Sequence, residues 1–386
     1  MIRTISKKES KDKEIDKKSK PDFLIFFTIL LLNILGLIFV LSSSLPQGQR
    51  FFRQNLISSP YIFFYNQLRS FFAGLVVFFL GFIVPIKILR KLSIYLVTFT
   101  IISLLIVAFI PYLSIEYGGA RRWLDLKIFT FQPSEMAKIS IILYLADLFD
   151  SKKNKIKSFS FGFIPFIIIL LIFSLLLIKQ PDLGTLSLIA LVSVIMFFVA
   201  GADPLHLLLM GLAGSLSLWY TIQFAPYRMS RITVWLNPQD DPTGEGYQLN
   251  QSLLAIGTGG LWGRGIGQSR QATYLPEAFT DSIFAIIAEE LGFVKASLFI
   301  SIFLILLFRG IQIARKSKSV FIKLSSVGIT SWIVLQAFLN ISAISGILPL
   351  TGVPLPFISY GGSSLATLMF ASGLLFNLSQ YTSSDS

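Results

Sequence analysis

The stretch FLIFFTILLLNILGLIFVL, residues 23–41, holds no charged side chain and a single amide, Asn33. A helix rises about 1.5 Å per residue, so this run nearly matches the roughly 30 Å hydrocarbon layer of a bilayer. It is too long for the apolar core of a secretory signal and lacks a small-residue cleavage pattern behind it, so it reads as a retained first helix. Similar runs recur outward from it, at about residues 67–86, 92–113, 133–149, 160–178, 183–200, 205–223, 282–308, 323–347 and 357–378. The run at 133–149 is the most polar, since it contains Glu135, Lys138 and Asp147. Composition agrees: of 386 residues 54% are hydrophobic and only 14% charged, whereas a soluble domain carries about a quarter charged residues. The expectation is an all-α, polytopic membrane protein with about ten transmembrane helices and one large external loop. Residues 1–20 read as a disordered, basic cytoplasmic tail, 21–380 as one membrane domain and 381–386 as a short cytoplasmic tail.

The formal charge of +13 suggests an anionic partner, but the basic residues cluster between apolar runs rather than along one soluble face. That is the pattern that sets membrane topology, not one that binds nucleic acid. Placing the N-terminus inside puts Arg3 and the seven lysines of the tail, Lys87, Arg90 and Lys91 in the cytoplasm. Lys152, Lys153, Lys155 and Lys157 follow there, as do Arg309, Arg315, Lys316, Lys318 and Lys323. With ten spans the C-terminus is then cytoplasmic too. The segment at about 224–281 falls outside, where a long loop without structure is uncommon and usually functional, so short interfacial or re-entrant helices are expected within it. Residues 44–66 read as a smaller external loop whose aromatics suit the membrane interface.

There is no cysteine and one histidine, His206. Disulfides, thiolate metal sites and cysteine nucleophiles are excluded, and neither a histidine-pair zinc site nor a histidine-based triad is expected. Acid–base work therefore falls to carboxylates, lysines or tyrosines. Four stretches depart from simple spans, all predicted at the external face. The first carries Arg121 and Arg122, whose guanidinium groups suit phosphates. It continues into Gln132-Pro133-Ser134-Glu135, with Glu135 and Lys138 one helical turn apart and within ion-pair reach; a packing role for that pair is at least as strong as direct chemistry. The second is Lys179-Gln180-Pro181-Asp182, where Asp182 suits a helix cap and Lys179 an anionic ligand. The third runs from Tyr247 through a glycine-rich segment to Arg270, then Pro276-Glu277-Ala278-Phe279-Thr280-Asp281. Its Gly-x-Gly-x-Gly at 263–267 has no preceding strand, so a dinucleotide loop is rejected. Asp281 is open to two readings, a charge at a helix N-terminus or a general base, with Thr280 as a possible cap beside it. Glu289 and Glu290 follow within the next span and demand partners or a cavity. The fourth, residues 346–364, holds three prolines and several glycines around Ser359 and Tyr360; irregular backbone at membrane depth argues for a cavity wall.

Taken together these motifs resemble the FtsW/RodA/SpoVE (SEDS) family. The resemblance runs through Gly-Ala-Arg-Arg-Trp at 119–123, Gln-Pro-Ser-Glu at 132–135, Gln-Pro-Asp-Leu-Gly-Thr at 180–185 and Leu-Pro-Glu-Ala at 275–278. It continues through Thr-Asp at 280–281, Glu-Glu-Leu-Gly at 289–292 and Pro-Leu-Pro-Phe-Ile-Ser-Tyr-Gly-Gly-Ser-Ser at 354–364. It implies a peptidoglycan glycosyltransferase that polymerises lipid II into glycan strands outside the cytoplasmic membrane. A class B penicillin-binding protein is the implied partner, with other divisome or elongasome membrane proteins. The family's essential aspartate maps to Asp281 and its Glu/Lys pair to Glu135 and Lys138. Arg121, Arg122, Lys179 and Arg270 become candidates for the pyrophosphate, and Asp182, Glu277, Glu289, Ser359 and Tyr360 for the cavity. No tightly bound cofactor is implied; a divalent cation, Mg2+ or Mn2+, is an open possibility without a dedicated carboxylate cage. Phe279 stands where the family usually has histidine. Pro-Glu-Ala at 276–278 and Ser-Arg-Gln at 269–271 look more like the division branch than the elongation branch. A lipid-linked precursor flippase and a non-enzymatic scaffold for the transpeptidase are the competing classes.

Overall fold

The computed structural model describes residues 18–117, 120–125, 127, 130–223, 226–317 and 319–382. Seven helices among them are long and apolar enough to cross a bilayer. They are α1 (Phe23–Arg53), α2 (Ile62–Ile83), α3 (Ile86–Phe109) and α5 (Ile164–Lys179, led by a π-turn at Phe159–Phe163), followed by α10 (Ile283–Lys316), α11 (Val320–Ile344) and α12 (Gly362–Leu378). Helices α4 (Pro133–Ser151), α6 (Leu183–Val199) and α7 (Pro204–Gln223) occupy the other three expected positions, so the described residues form a ten-helix membrane bundle.

Helix starts follow local chemistry. Asp22 accepts from the Leu24 amide (3.1 Å) at the head of α1, and Asp182 from the Thr185 amide (3.1 Å) at the head of α6, each meeting an amide that has no partner within its helix. Pro133 opens α4, with Glu135 in its first turn. Helix α4 is the least apolar of the expected spans because it lies at the centre of the bundle: Ser134, Glu135, Lys138 and Ser140 are all buried against protein. Helix α2 faces outward and presents Phe72, Val76 and Ile83 on its exposed side. Such a surface is a liability in water but matches a lipid environment.

The two ends of the described chain meet at one end of the bundle. The Ser19 amide donates to the Gln380 carbonyl (2.7 Å), Arg309 pairs with Asp22 (2.6 Å), and Ser317 bridges to Thr382. At the same end Arg90 holds Asp147 (2.5 Å) and Asp150 (2.7 Å). The irregular segments gather at the opposite end. There the long segment at 224–281 contains α8 (Pro226–Leu236), α9 (Glu245–Gly259) and short 3-10 turns, in line with the short helices expected there.

Two features differ from the sequence expectation. Residues 44–66 are mostly not a loop: α1 continues through Pro46 to Arg53 and α2 starts at Ile62. Hydropathy marks where apolar side chains stop, not where helical backbone bonds stop. A small antiparallel sheet was also unforeseen, with β1 (Ser114–Tyr117), β2 (Ala120–Asp125) and β3 (Thr130–Phe131) in the order β1-β2-β3. Its strands are too short for their alternation to register, although Ala120 and Leu124 turn inward as period two requires.

Helix α10 is broken at Gly292, which adopts φ 73° and ψ 174°. The glycine-rich segment repairs the break. The carbonyls of Glu289 and Glu290 accept from the amides of Arg264 and Gly265 (3.0 Å each), and the amides of Phe293 and Val294 donate to the carbonyls of Gly260 (2.8 Å) and Leu261 (3.1 Å). This contact requires glycine on both sides, because a Cβ on Gly292 would lie 2.1 Å from the Gly263 nitrogen and one on Gly263 would lie 2.2 Å from the Glu290 carbonyl oxygen. Gly292→Ala is expected to destabilise the fold by about 2 kcal/mol or more, seen as an earlier loss of the monodisperse species when the detergent-solubilised protein is heated.

Candidate active site

Asp281 sits at the end of a tight turn just ahead of α10. The turn is wound by Glu277, whose φ of 51° is positive and whose carbonyl accepts from the amides of Thr280 (3.1 Å) and Ser282 (3.0 Å). Thr280 is not the helix cap expected from sequence: Ser282 is the N-cap, without a side-chain cap bond, and the Thr280 hydroxyl reaches the Glu277 carboxylate (2.5 Å) instead. Three outside groups hold the turn. Asn340, on α11, donates through Nδ2 to the Asp281 carbonyl (2.7 Å) and to the Val353 carbonyl (2.8 Å). Ser359 donates through Oγ to the Thr280 carbonyl (2.7 Å) while accepting from the Leu355 amide (2.8 Å). The Tyr360 amide donates to the Phe279 carbonyl (2.9 Å).

The Asp281 side chain lines a pocket of about 90 Å³ with Arg231, Gln248, Glu277, Asn340 and Thr351 among its walls. At about 30 Å³ per water, the space takes a few waters or the hydroxyl-bearing edge of a sugar. Burial pushes the Asp281 carboxyl up to about 6, with the nearby charge of Glu277 adding to the rise; Arg122 and Arg231 pull the other way. Desolvation thus dominates, and the group is poised as a proton acceptor near neutrality. Arg122 reaches across from β2, donating to the carbonyls of Gln180 (3.1 Å) and Pro181 (2.6 Å). One arginine thereby ties the first two polar stretches together near the carboxylate.

The remaining candidates divide. Asp182 caps α6 and its charge is felt by Asp281, but it does not line the pocket. Glu277 does line it. Ser359 and Tyr360 act from behind, with the Tyr360 ring packed on Phe63 and Phe279. Phe279 itself lies in that aromatic cluster, 4.8 Å from Phe63 between ring centres, so this position faces away from the pocket lining. Glu289 is not a cavity residue. It is fully buried and accepts from Ser269 Oγ (2.5 Å) and from the amides of Arg270 (3.1 Å) and Gln271 (3.2 Å), with Arg264 at 3.5 Å. It anchors the glycine-rich segment, because a buried carboxylate needs such donors. Glu290 receives the Ser42 hydroxyl. Arg121 pairs with Glu116 on the sheet (3.0 Å), and Lys179 lies over the Phe109 ring (5.9 Å); neither borders the pocket. The Arg270 amide donates to Glu289, and Arg270 does not line the pocket.

Glu135 and Lys138 form a buried pair at 2.7 Å. Lys138 also donates to Gln336 Oε1 (3.1 Å) and stacks over Trp332 (5.3 Å), while Gln336 Nε2 donates to the Pro354 carbonyl (2.9 Å). The pair therefore holds the proline-rich segment from below and does not touch the pocket. Sequence reasoning passed over Arg231, Gln248 and Asn340. Asn340 had a usable signal, an amide in the apolar run 323–347 that is costly unless bonded. Arg231 and Gln248 had none, since both lie in a segment rich in other polar residues. Among the described residues no group of three or more His, Cys, Asp or Glu side chains converges as a metal site.

Fold and site together define a polytopic membrane protein with an aspartate-centred pocket at one end of its bundle. A family model for cell cycle proteins of the FtsW/RodA/SpoVE type matches residues 22–384, and the chain belongs to that family. It is 40% identical to stage V sporulation protein E of Bacillus subtilis, over 95% of this chain and 99% of that one. It is 42% identical to the probable peptidoglycan glycosyltransferase FtsW of Geobacter sulfurreducens, over 72% and 74% of the two chains. Its fold matches a chain in a solved peptidoglycan synthase complex that coordinates polymerization and crosslinking, with a TM-score of 0.78, 25% identity and coverage of 95% and 99%. It also matches the rod shape determining protein RodA of Thermus thermophilus, with a TM-score of 0.69 and 24% identity over 94% and 98%.

Removing one member of the buried pair leaves the other charge uncompensated. Lys138→Met is expected to cost about 3–5 kcal/mol, whereas Glu135→Leu combined with Lys138→Met recovers most of that loss, as read from unfolding midpoints in detergent.

Proposed function

We propose that this chain is a peptidoglycan glycosyltransferase that polymerises lipid II into glycan strands at the outer face of the cytoplasmic membrane, in the division branch of its family. The observation that carries the reading is the Asp281 carboxylate, held half-buried in a pocket between polar segments, with its proton affinity raised and arginines nearby. Asp281 takes the proton from the acceptor 4-hydroxyl. The hydroxyl oxygen forms a bond to the donor's anomeric carbon from the face opposite the leaving group, and the bond from that carbon to the polyprenyl pyrophosphate breaks with its electron pair. Configuration inverts. Arg122, which faces Asp281 electrostatically, is the best-placed of the four proposed cations to meet the charge that develops on the departing pyrophosphate.

Orientation follows from charge. Both ends of the described chain and the Arg90 cluster lie at the end opposite Asp281, and the positive-inside rule assigns that end to the cytoplasm. The site then faces outward, where a class B penicillin-binding protein would crosslink the product. Likeness to a chain of a peptidoglycan synthase complex supports such a partner.

Asp281→Asn is expected to abolish the ladder of glycan products from labelled lipid II while leaving expression and detergent stability unchanged; a normal ladder from this variant would remove Asp281 from the mechanism. Because the base must be unprotonated, kcat/KM should be flat above neutrality and fall about tenfold per pH unit below about 6. A profile flat from pH 5 to pH 8 would contradict the assignment.

A further inference from the structure

The short connection between α4 and α5, Lys152-Lys153-Asn154-Lys155-Ile156-Lys157, places four lysines within six residues. Its backbone is a built turn. The Lys155 amide donates to the Lys152 carbonyl (2.7 Å) and the Ser158 amide to the Lys155 carbonyl (3.0 Å). Ile156 is buried, and Gly162 packs so closely on it that a Cβ there would lie 2.1 Å from the Ile156 carbonyl oxygen. The π-turn that leads α5 then leaves Phe161 exposed. Lys152 Nζ lies 5.7 Å and Lys155 Nζ 4.6 Å from the centre of that one ring. Two ammonium groups gathered at one ring repel each other unless an anion joins them. Among the described residues no carboxylate pairs with any of the four lysines. The acids nearest in sequence are engaged elsewhere: Arg90 holds Asp147 and Asp150, and Asp203 accepts from the Leu205 amide (2.9 Å) at the head of α7.

From Phe161 an apolar stripe continues along one face of α5. Ile164, Ile168, Leu171 and Leu175 follow at alternating three- and four-residue spacing, which keeps them on one side of a helix, and all four are exposed. We infer that the α4–α5 turn is a binding site for an anionic phospholipid of the cytoplasmic leaflet. Lys152 and Lys155 take its phosphate beside the Phe161 ring, and one acyl chain lies along the α5 stripe. Charge complementarity selects this occupant, because basic sites at the cytoplasmic ends of spanning helices bind anionic headgroups. Lysines that serve topology alone need only lie on the correct side; they need neither a shared ring nor a fixed turn. Lys153 and Lys157 carry the same charge but lie over no ring among the described residues, which makes them the internal control. The site is at the end of the bundle opposite Asp281 and does not depend on the glycosyltransferase reading.

The test titrates the full-length protein in detergent with dioleoylphosphatidylglycerol or dioleoylphosphatidylcholine and follows the rise in unfolding midpoint. The anionic lipid should act at a lower mole fraction than the zwitterionic one. Lys152→Gln with Lys155→Gln should weaken the response to phosphatidylglycerol by about 10- to 30-fold, with the lipid-free midpoint unmoved because both side chains lie at the surface. Lys153→Gln with Lys157→Gln removes the same charge and should weaken it by less than about fivefold. Phe161→Leu keeps every charge and should weaken it by about two- to fivefold. Equal losses from the two lysine pairs would overturn the site in favour of diffuse attraction to a charged surface. Equal action of the two lipids on the unaltered protein would overturn the lipid as occupant and leave the lysines to an acidic protein segment.

Discussion

Backbone that leaves the helix at membrane depth has no water to fall back on, so every freed N–H and C=O must be met by protein. The architecture at the site end follows from that constraint. At Gly292 the helix opens, and the glycine-rich segment supplies the missing donors and acceptors on both sides of the break. Along residues 349–361 the chain runs irregularly past the site, and single side chains serve it one bond at a time. Gln336 serves Pro354, Asn340 serves Val353, and Gln67 on α2 both accepts from the Gly361 amide (3.2 Å) and donates to the Ser359 carbonyl (3.3 Å). Amides suit this work because each carries donors and an acceptor on one rigid plane.

The same bonds make the site. Asn340 holds the backbone of Asp281 and of the segment opposite it with one NH2 group, and Ser359 ties the same two stretches through Thr280 and Leu355. Below this, Lys138 is fixed by Glu135 and Gln336 in the centre of the bundle. The buried ion pair is thus linked toward the pocket through Gln336 and Pro354. Preorganisation of this kind keeps a carboxylate away from bulk water without leaving it unsupported, which is the condition for a raised proton affinity that is still useful for catalysis.

Much of this was legible beforehand. The apolar runs had the right number and nearly the right places, because bilayer thickness imposes a minimum length on any span. Asp281, Arg122 and Glu277 stood out as charges in unusual company, and the structure brings all three to one neighbourhood. Glu289 stood out for the same reason yet serves the fold, since a buried carboxylate is equally conspicuous whether it reacts or merely anchors a loop. The short sheet and the helical extension of α1 escaped notice because both lie outside the bilayer, where hydropathy carries no length rule.

By itself the amino-acid sequence determined the class: a membrane bundle, its spans, the lack of thiol chemistry and the segment that carries Asp281. Those are properties of composition and local order, and a bilayer reads them directly. Only the tertiary structure decided which polar groups share a pocket. Arg231, Gln248, Asn340 and Thr351 come from α8, α9, α11 and the segment after it, and converge on Asp281. Their convergence depends on how broken helices pair their exposed backbone with distant side chains, and no local pattern encodes that pairing.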